Sequence, residues 1–169
     1  MILLSVVHMA DFLRIAVLTG TLKPDCTVDN FPEYATDLHR LDNHQRILLK
    51  NFAHSVLLSV ASPLPIRVVM AVGHADTALR LNGAARTAME LDVSVGRGRS
   101  GAAALREELG RLAGHPSAEC LLSIRSMGIG AAMKAVQNAA TEQQMRKNRR
   151  VEFYALKEDP GAPSCGGVQ

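Results

Sequence analysis

Residues 66–76, IRVVMAVGHAD, form an apolar run that ends on a carboxylate, so Asp76 follows directly on what reads as a buried strand and a glycine. A carboxylate in that position projects from a strand end into the space between neighbouring loops, where open α/β sheets hold ligands. A turn aspartate that satisfies its own backbone is the competing reading. Two basic groups follow, Arg97 and Arg99 in VSVGRGRSG and Arg149 and Arg150 in KNRRVEF. With Asp76 they supply both halves of a pocket for a zwitterion: a carboxylate for an ammonium, and a guanidinium for a carboxylate. Arg97 and Arg99 are two apart and point in different directions on a helix, so one at most faces Asp76. Arg149 and Arg150 stand where a short helix is expected to give way to a strand, and alternation sends them to opposite faces. One is expected to line the site and the other to be solvated or to pair with Glu152.

Catalysis is less well supplied. His74 lies beside Asp76, but no Ser or Cys sits in a nucleophile elbow and no second carboxylate accompanies it, so turn packing is its expected role. Cys26, Cys120 and Cys165 lack CxxC spacing and a ligand cluster, which argues against a zinc site or a dense disulfide framework. Cys120, in an apolar run, is expected to be a buried thiol, while Cys26 and Cys165 are placed to pair if the compartment is oxidising. Gly128-Ile129-Gly130 is a bare GxG without the Gly, Lys or helix start of a phosphate loop. The expectation is a non-enzymatic binding domain with no metal and no cofactor.

The elements that must position these residues follow from length and pattern. A chain of 169 residues suits one domain with tails. With 47% hydrophobic and 21% charged residues it is an ordinary globular composition, and with 4% aromatics and no Trp its core must be Ala, Leu, Val and Met. The formal charge of +3 is small and lacks aromatic interleaving, so nucleic acid is not the expected partner. Residues 1–27 read as an apolar N-terminal segment and linker, 28–156 as the domain, and 157–169 as a Gly- and Pro-rich disordered tail. The first twenty residues carry His8, Asp11 and Arg14 within the apolar stretch and no basic start, which makes a poor export signal and a poor membrane span. A helix packed on the domain or on a partner is the third reading, with Leu4, Val7, Phe12, Ile15 and Leu18 broadly on one side.

Within the domain, residues 28–34 read as a short edge strand that Pro32 ends. Asp42 with Gln45 opens a helix whose stripe of Leu48, Phe52 and Val56 runs to about residue 60. Residues 66–72 alternate as a strand, with Ile66, Val68, Met70 and Val72 on one side. Residues 77–91, with Asn82-Gly83, read as a loop with helical turns. Ser94 then caps a helix with the stripe Ala102, Leu105, Leu109, Leu112, which puts Arg97 in its first turn, against the helix dipole. Residues 120–124 read as a strand, 127–130 as a tight loop, Thr141 to about Lys147 as a short helix, and 151–156 as the last strand. The order β, α, β, α, β, α, β predicts an α/β (α+β) sandwich, a mixed sheet with helices packed on it.

Four pieces of this text resemble, in order, the OmpA-like peptidoglycan-binding domain of OmpA C-terminal regions, Pal lipoproteins and MotB-type stators. Residues 66–76 resemble its strand plus GHTD, 93–98 its LSxxRA helix start, 126–130 its GxG loop, and 148–152 its NRRVE. The resemblance implies noncovalent binding of peptidoglycan through the diaminopimelate of the stem peptide, with Asp76 and Arg97 as the clasp, His74 and Ala75 beside them and Arg150 as a wall. It also implies a periplasmic, outer-membrane-associated place in the cell envelope and a role in anchoring to the cell wall, with an envelope protein or a second copy as a further partner. Ala75 stands where the family has Thr. The separation between Asp76 and Arg97 exceeds the family's usual one, Gly98 replaces an Ala and with Gly96 is expected to loosen the helix start, and Arg99 inherits the role if the register shifts. A protein-interaction or scaffold domain that keeps the fold without the ligand is the alternative.

Overall fold

The computed structural model describes residues 22–38, 42–114 and 122–157. Its elements are β1 (Cys26–Val28), α1 (Asn43–Ser59), β2 (Ile66–Gly73), α2 (Gly83–Ala113), β3 (Ser123–Gly128), α3 (Glu142–Asn148) and β4 (Val151–Lys157), the order expected from the sequence. The strands form one mixed sheet, β1-β4-β2-β3, in which β2 runs parallel to β3 and antiparallel to β4, and β1 is antiparallel to β4. Gly73 pairs with Gly128 on one side and with Val151 on the other. The register therefore gathers the GHAD turn, the end of β3 and the start of β4 at one edge of the sheet.

Helices α1 and α2 bury their stripes on one sheet face, where Leu49, Phe52 and Val56 meet Ala102, Leu105 and Leu109 over Val69, Ala71, Val151 and Phe153. Burying each such large side chain contributes roughly 1.5–3 kcal/mol. A smaller cluster of Met70, Val72 and Tyr154 occupies the other face. Strict alternation would set Ile66 with Met70 and Val72, but a register irregularity between Ile66 and Val68 turns Ile66 into the main core instead.

The caps read from sequence are in place. Asp42 accepts the Gln45 amide N–H at 2.9 Å and starts α1. The Gln45 side chain does not return to the cap. It pairs with Asp29, donating to Oδ1 at 2.8 Å and accepting from the Asp29 amide at 3.1 Å, and so ties α1 to the chain after β1. Thr141 and Gln144 form a full capping box at α3.

Three boundaries differ from expectation. The edge strand is Cys26–Val28, drawn partly from the expected linker, and the left-handed Asn30 (φ 66°) ends it before Pro32. β3 is Ser123–Gly128, so Met127 and Gly128 are strand and not loop; pairing with β2 selects this stretch over the more apolar one before it. The largest difference is α2, which starts at Gly83 and not at Ser94. Its first three turns are mostly exposed and show no apolar stripe, so periodicity could not register them. Arg97 is consequently mid-helix, and its expected opposition to the helix dipole does not arise. Among the described residues no helix is long and apolar enough to cross a membrane. The N-terminal segment, Cys120, Cys165 and the tail beyond Lys157 lie outside the described residues, so the suggested Cys26–Cys165 pairing does too; among the described residues Cys26 has no disulfide partner.

Candidate functional site

The turn after β2 is held from both sides by backbone hydrogen bonds. His74 N–H donates to the Arg150 carbonyl and Ala75 N–H to the Gly130 carbonyl, both at 2.9 Å. Asp76 emerges next, half-buried, and its Oδ1 accepts from Asn148 Nδ2 at 3.0 Å. Asn148 is fully buried and also bridges Val136, donating to its carbonyl at 3.0 Å and accepting from its amide at 2.8 Å. The asparagine before the two arginines thus orients the carboxylate. Beyond Asp76 the chain is tied down again, since Ala78 N–H donates to Glu90 on the N-terminal extension of α2 at 2.9 Å and Lys134 donates to Thr77.

Arg97 is 1% exposed. Its Nε donates to Ala35 O at 2.8 Å, one terminal nitrogen to His74 O at 2.8 Å, the other to Pro32 O at 3.3 Å, and its guanidinium lies 5.4 Å from the Phe31 ring centroid. Burial, then the neighbouring Arg149, bring its pKa down to about 10 against the pull of Asp76, so it stays charged at neutral pH. The side chain that the sequence suggested as a ligand clasp also locks the loop after β1 onto the end of β2.

Arg149 and Arg150 diverge. Arg149, the residue that caps α3, is 4% exposed; one terminal nitrogen reaches Glu142 Oε1 at 2.5 Å, and its Nε has no hydrogen-bond partner among the described residues. Arg150 turns the other way, donating to Glu152 Oε1 at 2.7 Å and to the Met133 carbonyl at 3.2 Å. Glu152 Oε2 accepts from Tyr154 at 2.6 Å and stands 2.8 Å from His74 Nε2. His74, fully buried, has its Nδ1 3.2 Å from the Met133 carbonyl.

A cavity of about 210 Å³ opens where these pieces meet. Asp76, Arg97, Arg149 and Glu142 line its polar side, with Glu33, Arg80 and Glu90 also on its wall, and Tyr34, Ala75, Leu79, Met89 and Val93 form its apolar side. Of the residues singled out from sequence, it brings Asp76, Arg97, Arg149 and Ala75 together. Arg150 and His74 lie behind it in the buried Glu152 network, and Arg99 is exposed on α2. The residues alone left open which of the two adjacent arginines lines the site, the resemblance pointed to Arg150, and the cavity takes Arg149 while Arg150 pairs with Glu152. Alternation applies to strand residues, and Arg149 is a helix cap whose direction depends on how α3 ends. The apolar wall was missed, because it comes from the exposed extension of α2; Asn148 was legible only as part of NRRVE.

The buried network predicts acid lability. Burial opposes ionisation of Glu152, but His74, Arg150 and Tyr154 outweigh it and bring its pKa to about 2. Burial, aided by Arg150 and opposed by Glu152, lowers that of His74. In both cases the unfolded chain takes up the proton first, so both shifts act in one direction. Stability is expected to decline as pH falls below the ordinary histidine value of 6.5 and most steeply from 4.5 towards 2, with Glu152 accounting for on the order of 3 kcal/mol. Urea midpoints at pH 7, 5 and 3 check this, and Glu152→Gln should flatten the acid limb; a midpoint that holds or rises towards pH 3 would contradict it.

No family model and no curated protein matches the chain. Solved structures do. The peptidoglycan-associated lipoprotein from Burkholderia pseudomallei is similar at 15% identity over 79% of this chain and 91% of that one, with a TM-score of 0.50. The OmpA-like domain of FopA1 from Francisella tularensis is 16% identical over 79% and 75%, TM-score 0.50. The periplasmic domain of Helicobacter pylori MotB is 11% identical over 80% and 74%, TM-score 0.52. The chain has the fold of OmpA-like domains, an α+β architecture with helices packed on a mixed four-stranded sheet. At these identities the likeness extends to the fold alone.

Proposed function

We propose that this domain binds peptidoglycan noncovalently by enclosing the zwitterionic side-chain end of diaminopimelate, and so anchors its bearer to the cell wall. The reading rests on one observation: a single small cavity is lined by the Asp76 carboxylate together with the Arg97 and Arg149 guanidiniums. Diaminopimelate carries an ammonium and a carboxylate on one carbon at the end of its side chain, which is the charge pattern those groups complement. At about 210 Å³ the cavity accepts the end of a side chain and not a whole muropeptide, in keeping with capture of a chain-like polymer by one residue. No nucleophile, acid–base pair or cofactor enters this reading, and the binding is non-enzymatic. A place in the periplasm, associated with the outer membrane, belongs to the same proposal.

The test is co-sedimentation of the purified protein with diaminopimelate-type sacculi. Asp76→Ala should weaken retention by ~1.5 kcal/mol or more, about tenfold, while the fold survives at a cost of about 1–3 kcal/mol at most, because the buried Asn148 loses one acceptor and keeps the Val136 carbonyl. Free meso-diaminopimelate should compete. Retention that ignores both the substitution and the competitor would reject the site, and a folded wild type that never sediments would favour a protein-interaction role for the fold. The exposed Leu79 and Met89 on the cavity's apolar wall are where such a contact would form.

A further inference from the structure

Glu142 is placed oddly for a neighbour of a carboxylate-binding cavity. It is the first residue of α3, its side chain is 57% exposed, and a single oxygen, Oε1, receives both Arg149 at 2.5 Å and Arg146 Nε at 3.0 Å. Arg149 is its opposite in burial: 4% exposed, lining the cavity, with an Nε–H that meets no acceptor among the described residues. A buried N–H without an acceptor is unfavourable, and a guanidinium is best satisfied by two parallel bonds to one carboxylate. Glu142 therefore holds Arg149 by one nitrogen and leaves it half satisfied. A carboxylate arriving through the cavity would meet the terminal nitrogens of Arg149, where Glu142 now rests, since the Nε itself is enclosed.

We propose that Glu142 is an internal stand-in for the ligand's carboxylate, resting on Arg149 in the empty site and displaced onto Arg146 when a carboxylate-bearing ligand enters. This rests on the carboxylate-binding reading given above. Displacement is cheap because Glu142 is exposed and keeps one cation, Arg146, when it releases the other. Glu142 also lines a neighbouring cleft of about 540 Å³ together with Arg146, so its carboxylate has room to move on that side. The effect is selectivity: a ligand that presents only an ammonium gains nothing from displacing Glu142, whereas one that presents a carboxylate takes its place on the Arg149 guanidinium.

The experiment is calorimetric titration of the full chain and its E142Q variant with free meso-diaminopimelate, and with the analogue in which both carboxylates are amides. Glutamine keeps the size and the exposed position while removing the competing charge. E142Q is expected to bind the free acid at least threefold more tightly than wild type, with no gain for the amide. Unchanged or weaker binding of the free acid by E142Q, with wild type binding measurably, would overturn the stand-in and leave the binding function intact. An equal gain for acid and amide would overturn the link to a ligand carboxylate. No binding by either protein would overturn the function itself, and the stand-in with it.

Discussion

Gly73→Ala is expected to destabilise the domain by about 3 kcal/mol or more, whereas Gly110→Ala, in the same helix-and-sheet unit, should stabilise it by about 0.5–1 kcal/mol. The difference lies in what a methyl group meets. A Cβ on Gly73 would stand 1.9 Å from the Ser94 carbonyl oxygen and 2.5 Å from Gly98 N, one on Gly128 2.3 Å from Val95 N, and one on Gly98 2.3 Å from the Met127 carbonyl oxygen. All of these are backbone atoms of packed elements, which cannot swing aside as a side chain can. Gly110 faces open space on an ordinary helical turn, where alanine only reduces the freedom of the unfolded chain. Residues 94–98 of α2 thus lie directly on the paired ends of β2 and β3, with the Ser94 hydroxyl accepting from Gly130 N–H at 2.8 Å and donating to the Leu91 carbonyl at 2.7 Å. Gly98, expected to loosen a helix start, instead permits the contact that sets Arg97 against the GHAD turn. Chemical denaturation of the two alanine variants is the check; equal midpoints would mean that the helix can ride up off the sheet at little cost.

Arg97→Met should cost at least about 3 kcal/mol, and it should unsettle the loop after β1 before any ligand is considered. Three carbonyls, those of Ala35, His74 and Pro32, would lose a charged donor in a buried setting, at ~1–3 kcal/mol for each one left unsatisfied. Against a typical total of 5–15 kcal/mol this is a large share, corresponding to a fall in melting temperature of roughly 10 °C or more. Arg97→Lys should recover only part of it, since an ammonium cannot reproduce a planar fork that serves three carbonyls. Thermal melts of both variants decide the matter: a Met variant that melts like wild type would show that the carbonyl network is incidental. Loss of sacculus binding on removing Arg97 is therefore ambiguous by itself, and Asp76 is the cleaner probe of the pocket.

Much of the architecture was legible because its signals are local. Asp42 with Gln45 and Thr141 with Gln144 announce helix starts through their own hydrogen bonds, and residues 66–73 and 151–157 carry β-branched and aromatic patterns that need no partner to be recognised. The exposed turns of α2 sent no such signal. They protrude beside the cavity, so no apolar stripe was required of them, and the helix was expected to begin at Ser94, whose hydroxyl in fact serves a distant loop amide. β3 was misplaced for a related reason: SIRSMG is weakly apolar, and it is strand because β2 offers it a parallel register.

The sequence alone determined the element order, the sheet-plus-helices class and the composition of the charged groups, since caps, alternation and turn residues act within a few positions of one another. It also placed Asp76 at a strand end. Only the tertiary structure decided which guanidinium accompanies that carboxylate. Arg149 and Arg150 are identical in type and adjacent in the chain, and the choice between cavity and buried network is made by where α3 stops and where Glu142 and Glu152 wait. The bracing role of Arg97 was likewise decided by distant carbonyls and by glycines that let a helix lie on strand backbone, contacts between residues far apart in the chain that no local pattern encodes.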